Sequence, residues 1–286
     1  MEAVAFYSYK GGVGRSLLLK HAAQYLAVLG KGVVALDFDF EAPGLHYKFS
    51  GDVTSAPRLF TGGSVPYLAA TVEGSTSSPP LDEHTILLMR TDKGGWLRLM
   101  PAGPAPHQAY WATLKGLGDK LRLGDPSGQS SMALLDLQAR IEDELRPDYL
   151  LIDARTGVTE IGGLATTTLA DTVVCMFVAN RESLDGTLAV IDALKSAPRL
   201  AKQRPLRIVP VLSRTTTETH TAGFVRLVDS RLGENDLTAF ELPHDDRAAA
   251  ETLGLFSPLS NAYLPLLLRL FPSAVGNARP SYPENL

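Results

Sequence analysis

Residues 9–16 read YKGGVGRS and gather glycines, two cations and a hydroxyl in one short stretch. Gly11, Gly12 and Gly14 can take backbone angles closed to other residues, so that successive N–H groups converge on one anion. Ser16 adds a hydroxyl suited to a hard divalent cation. The pattern approaches the phosphate-binding loop G-x-x-x-x-G-K-[ST] but departs from it twice. Tyr9 stands at the first glycine position and Arg15 at the lysine position, while Lys10 supplies a cation ahead of the glycines. From residue types alone, a glycine-rich turn without any ligand is the competing reading.

Carboxylates follow at two places. LDFDFEAPGL (36–45) carries Asp37 and Asp39 at the end of an apolar run, and DYLLIDARTG (148–157) carries Asp153 after another, with Gly157 beyond it. Each pattern on its own is also that of a solvated strand end.

The elements that must position these residues alternate. AVAFYSY (3–9) reads as a buried strand, and 15–30 as a helix with Leu18, Ala22, Leu26 and Leu29 at helical spacing and Gly30 at its end. VVALDFD (33–39) reads as the next strand. From 148 the alternation resumes: strands 148–153 and 172–180, a helix 182–197, strand 207–213, a helix near 219–233, strand 237–243 and a last helix 262–271. Strands alternating with helices predict an α/β fold, a doubly wound and mostly parallel sheet with helices on both faces. Residues 50–130 form a variable region rich in Ser, Gly, Pro and Thr, with strands expected at 84–90 and 96–103 and helices near 108–122 and over 127–148. No repeat or linker interrupts the chain, so residues 1–286 are expected to form one domain.

Bulk properties exclude several classes. Of 286 residues, 45% are apolar and 20% charged, a balance that argues against wholesale disorder. The net charge of −4 gives no global attraction for nucleic acid or anionic lipid. Cys175 is the single cysteine, so no disulfide forms within the chain and a reducing cytoplasm is the expected location. It reads as a small core hydrophobe. No signal peptide or transmembrane run is visible, so no membrane association is expected. The six histidines are scattered without zinc-ligand spacing.

The loop with its lysine just before two glycines resembles the ParA/MinD group of deviant Walker-A P-loop ATPases, whose loop reads x-K-G-G-x-G-K-[ST]. Lys10 matches their signature lysine, and the family does not require glycine at the Tyr9 position. The resemblance covers residues 1–48 and 148–250 well. It implies an ATPase using ATP and Mg²⁺, whose turnover Arg15 in place of the loop lysine is expected to slow. Nucleotide contacts would come from Lys10, Gly11, Gly12, Val13, Gly14, Arg15, Ser16, Leu17 and Gly157, with Ser16, Asp39 and Asp153 at the metal. Asp39 would orient the attacking water, and Lys10 would cross to the partner's phosphates in a homodimer formed on ATP binding. Arg15 would remain a phosphate contact as a planar fork in place of a compact ammonium.

Other positions depart from the family pattern. Ala154, Arg155 and Thr156 replace D-[ST]-P-x-G, making Arg155 either a charge-stabilising contact or a surface residue touching a partner. VLSR (211–214) places Ser213 where the family has an asparagine on adenine, followed by Arg214. ELPHDD (241–246) matches the segment whose backbone, around Pro243 and His244, packs on the base. The basic run Lys195, Arg199, Lys202, Arg204 and Arg207 reads as a solvated helix end, with nonspecific DNA binding as the family's alternative. The tail LPLLLRLF reads as core, lacking the basic face of a membrane-binding helix.

Two functions therefore stand side by side. One is a nucleotide switch that acts on an unknown protein partner. The other is a non-hydrolysing nucleotide-dependent scaffold, in which Arg15 has exchanged turnover for stable assembly.

Overall fold

The computed structural model describes residues 1–49, 60–73, 79–104, 107–121, 128–157, 163, 165–197, 205–218, 223–245 and 258–275. Among them an eight-stranded sheet runs in the order β3-β4-β2-β5-β1-β6-β7-β8. The strands are β1 Glu2–Ser8, β2 Gly32–Phe38, β3 Ile86–Arg90, β4 Trp96–Met100, β5 Tyr149–Ala154, β6 Thr172–Val178, β7 Arg207–Thr215 and β8 Phe240–Pro243. Every neighbouring pair is parallel except the β3–β4 hairpin, whose β3 forms one edge. The expected doubly wound α/β architecture is present.

Burial explains why the central strands read as continuous apolar runs. In β1, Ala3, Ala5 and Tyr7 enter one core while Val4 and Phe6 enter the other, all 3% exposed or less. Helices α3 Ser64–Val72, α4 Gln108–Gly118, α5 Gln129–Arg140, α6 Arg181–Ser196 and α7 Phe224–Gly233 cover the first face. Helices α1 Arg15–Val28, α2 Leu45–Phe49 and α8 Pro258–Leu270 cover the second, with the short α9 Pro272–Val275 after them. The tail packs as core: Leu266, Leu267, Leu270 and Phe271 are buried. Cys175 is fully buried, and burial pushes its thiol up to about 12.

The 50–130 region holds more structure than its composition suggests. Helix α3, which sequence reading passes over, forms within it; Pro66 lies in the helix's first turn, where a missing N–H breaks no helical bond. The strand expected at 84–90 starts at Ile86, and the one at 96–103 stops at Met100. The helix expected over 127–148 is α-helical only to Arg140. It continues as a π-turn, Ile141–Leu145, and ends at Arg146 in the left-handed region.

Candidate functional site

The loop after β1 enters α1 through Gly12 (φ 76°) and Gly14 (φ 91°), both in the region that favours glycine. A Cβ at Gly11, Gly12 or Gly14 would meet nothing within 4 Å. Packing within the chain therefore does not demand glycine here. The open side is a cradle of backbone facing a cavity of about 530 Å³ at the carboxyl ends of the parallel strands. The cavity is lined by Gly11–Leu17, Asp39, Ser213, Arg214, Pro243 and His244, all of them sequence-selected positions.

Arg15, the first residue of α1, is only 7% exposed and lies between two carboxylates. Its Nε donates to Asp153 Oδ1 at 2.5 Å and its Nη2 to Asp39 Oδ2 at 2.8 Å. Ser16 Oγ donates to the other oxygen of Asp153, Oδ2, at 2.5 Å. Burial alone would lower the Arg15 pKa, but Asp153 and Asp39 outweigh it and hold the pKa above its ordinary value. For Asp153, burial raises the carboxyl pKa despite Arg15 and Ser16 pulling the other way.

Asp37 sits deeper, fully buried at the end of β2. Its carboxylate oxygens accept the backbone N–H groups of Asp39 (3.0 Å) and Leu45 (3.1 Å), folding the 37–45 segment back on itself. Burial, followed by the nearby Asp153 charge, pushes Asp37 up to about 8. Ser64 Oγ donates to the Asp37 carbonyl at 2.8 Å and Tyr110 Oη to the Phe40 carbonyl at 2.7 Å. The variable region thus braces the segment that carries Asp39.

The remaining sequence-selected residues divide. Lys10 lies outside the cavity lining and pairs with Glu182 Oε1 on the first turn of α6 at 2.5 Å. Gly157 (φ 78°) gives its N–H to the Ser8 carbonyl at 3.2 Å and accepts from Tyr7 Oη. Arg155 pairs with Glu41, joining the segments after β5 and β2. Ser213 Oγ is committed to the Val13 carbonyl at 2.9 Å and the Phe177 carbonyl at 3.2 Å. Arg214, at φ 58°, donates from Nη1 to the Gly12 carbonyl at 3.1 Å. His244 N–H bonds the Thr215 carbonyl at 2.9 Å, which pins Pro243 and His244 at the cavity wall.

In the basic run, Lys195 Nζ bonds Asn235 and Arg207 bonds Thr172 and the end of α8; Arg199, Lys202 and Arg204 lie outside the described residues. Asp245, within the ELPHDD segment, also lines the cavity, whereas sequence reasoning missed Lys48 and Tyr263, which line it too. Tyr263 comes from α8, far along the chain, and no local pattern marks it. Among the described residues no helix is long and apolar enough to cross a membrane.

No protein-family model matches the sequence, and no curated protein matches it either. Solved structures do share its fold over nearly the whole chain. A putative plasmid partition protein from Borrelia burgdorferi bound to AMPPNP superposes with a TM-score of 0.66 at 16% identity, covering 95% of this chain and 98% of that one. The MinC:MinD cell division protein complex of Aquifex aeolicus gives 0.62 at 19% identity, covering 99% of both chains. The septum site-determining protein MinD from Pyrococcus horikoshii, complexed with Mg-ADP, gives 0.62 at 16% identity, covering 94% and 95%. The chain has the fold of these partition and MinD proteins.

Proposed function

We propose that this chain is a one-domain ATPase of the ParA/MinD type, binding ATP with Mg²⁺ and acting on a protein partner through a nucleotide-dependent homodimer. The observation that carries the reading is convergence. An open glycine cradle, Ser16 and Asp39 meet at one cavity beyond the strand ends, where α/β sheets bind ligands, and Asp153 lies behind it, bonded to Ser16 and Arg15. That two proteins of the same fold carry AMPPNP and Mg-ADP supports it.

In this reading the N–H groups of Gly11–Leu17 and the start of α1 hold the phosphates. The donor set fits a small hard cation: a hydroxyl and two carboxylates, all oxygen. Among the described residues no group of three or more His, Cys, Asp or Glu could hold a metal alone. Ser16, Asp39 and Asp153 would therefore share the ion with phosphate oxygens and water. A bound Mg²⁺ supplies charge neutralisation at the phosphates. Asp39 holds the water, Lys10 reaches the partner's phosphates, and the Pro243–His244 backbone packs on the base. Turnover is slow, on the order of 10⁻² s⁻¹ or less, below ordinary enzyme rates.

The Arg15 clamp favours a second reading, a scaffold that binds nucleotide without turning it over, because it engages both carboxylates that hydrolysis needs. Phosphate release by purified protein separates the two. Binding itself is tested by melting: a ligand specific for the native state adds about 2.7 kcal/mol at a hundredfold its Kd. No shift with ATP, ADP or GTP at millimolar concentration overturns the reading.

A further inference from the structure

The geometry points to Arg15 as a resident cation: we propose that its guanidinium holds the place between Asp39 and Asp153 that a divalent ion must take, so that metal binding requires Arg15 to leave. What displaces Arg15 in the working protein rests on the nucleotide reading; the occupancy itself does not.

Three observations support it. Arg15 Nε and Nη2 engage one oxygen each of Asp153 and Asp39, while Ser16 engages the remaining Asp153 oxygen. Both Asp153 oxygens, one Asp39 oxygen and the Ser16 hydroxyl are thus bonded to one another or to the guanidinium. Second, Arg15 is nine-tenths buried, so a divalent ion entering beside it would face an unscreened positive charge at close range. Cation and guanidinium exclude each other.

Third, Nη1 of Arg15 is buried without a hydrogen-bond partner among the described residues. An arginine whose role ended with this clamp would be expected to satisfy all its donors, because an unmet donor on a buried charge is costly. The leftover donor marks a holding position. Released from the carboxylates, the same fork can turn its donors to phosphate oxygens. One side chain thereby couples metal entry to phosphate capture, and the lysine of the usual loop, a compact ammonium, lacks the wide planar fork that spans these two carboxylates here.

The test uses Mn²⁺ alone, without nucleotide, read by electron paramagnetic resonance on the full chain. Arg15→Gln should bind Mn²⁺ at least about tenfold more tightly than wild type, since a positive charge leaves the site. Adding Asp153→Asn to that variant should remove the gain. Equal or weaker Mn²⁺ binding by a folded Arg15→Gln overturns the proposal, as does a gain that survives Asp153→Asn. If Arg15→Gln does not fold, Arg15→Lys decides. It keeps the charge but loses the planar fork that grips both carboxylates at once, so a gain of about threefold is expected and no gain overturns the proposal. A protein that fails to bind nucleotide yet shows the Mn²⁺ gain refutes the proposed function and leaves Arg15 as the resident cation.

Discussion

Arg15 and Asp153 lie 138 positions apart in sequence and meet at 2.5 Å, tying the first residue of α1 to the end of β5. With Asp39 on its other arm, the guanidinium is the cation that permits two carboxylates to be buried side by side.

Removing it should therefore be expensive. Arg15→Ala leaves Asp39 and Asp153 without their partner, and breaking a buried pair from one side costs about 3–5 kcal/mol. Urea unfolding measures it, and a change within about 0.5 kcal/mol, typical of a surface site, would refute the clamp. Asp153→Asn in the Arg15→Ala background should recover part of the loss, because one uncompensated charge is gone.

Gly186 lies inside α6, where alanine would ordinarily stabilise a helix by about 0.5–1 kcal/mol. Here the sign reverses. A Cβ at Gly186 would sit 2.2–2.5 Å from ring atoms of Tyr9. Gly186→Ala should destabilise by about 1–3 kcal/mol through overpacking. Tyr9→Ser combined with Gly186→Ala should recover it, as thermal unfolding of the two variants would show. Tyr9, at the first position of the glycine loop, thus braces that loop against α6.

His84 gives the pH dependence. It is buried against the edge of Tyr67, with Nδ1 within 3.2 Å of Gly63 N and 2.9 Å of Gly63 O. Burial lowers its pKa below 6.5. The unfolded chain then takes up a proton more readily than the folded one. The stability this contributes is present above the unfolded-state value of about 6.5 and is lost as pH falls through it toward the lower folded value. His84→Gln should flatten the fall in melting temperature between about pH 6.5 and 5. An unchanged profile would place the loss elsewhere.

Much of this was legible in the chain because local rules and the global fold agree. The β1–loop–α1–β2 unit could be read from VAFY, KGGVG and LDFD, since a parallel core strand needs an apolar run and its carboxyl end is where polar residues can emerge. The partners of Arg15 could not be read. The resemblance marks Asp39 and Asp153 as candidate metal-site residues, but their pairing with Arg15 depends on the order of strands in the sheet, a non-local fact. Helix α3 was hidden because Pro66 reads as a breaker until its place in the first turn is known. Ser213 stood out as an odd base contact, and only three dimensions reveal its bonds to Val13 and Phe177.

Lys10 separates the dimer from the fold. In the single subunit its ammonium pairs with Glu182, both side chains well exposed, at 43% and 70%. Water competes freely for such a pair, so its loss should barely move the subunit's melting temperature. If Lys10 acts across a dimer, Lys10→Ala should instead weaken ATP-dependent association, by about tenfold or more for one buried charge-assisted contact to phosphate. Nucleotide affinity of the single subunit should change far less. Light scattering against protein concentration, with and without ATP, reads the first quantity, and calorimetry on dilute protein reads the second. Glu182→Gln is the control, because it removes the in-subunit partner of Lys10 and keeps the cation; its dimer should be at least as tight as wild type. A wild-type chain that stays monomeric with ATP would sink the sandwich dimer. A Lys10→Ala dimer as tight as wild type would leave the dimer standing and assign Lys10 only its contact with Glu182.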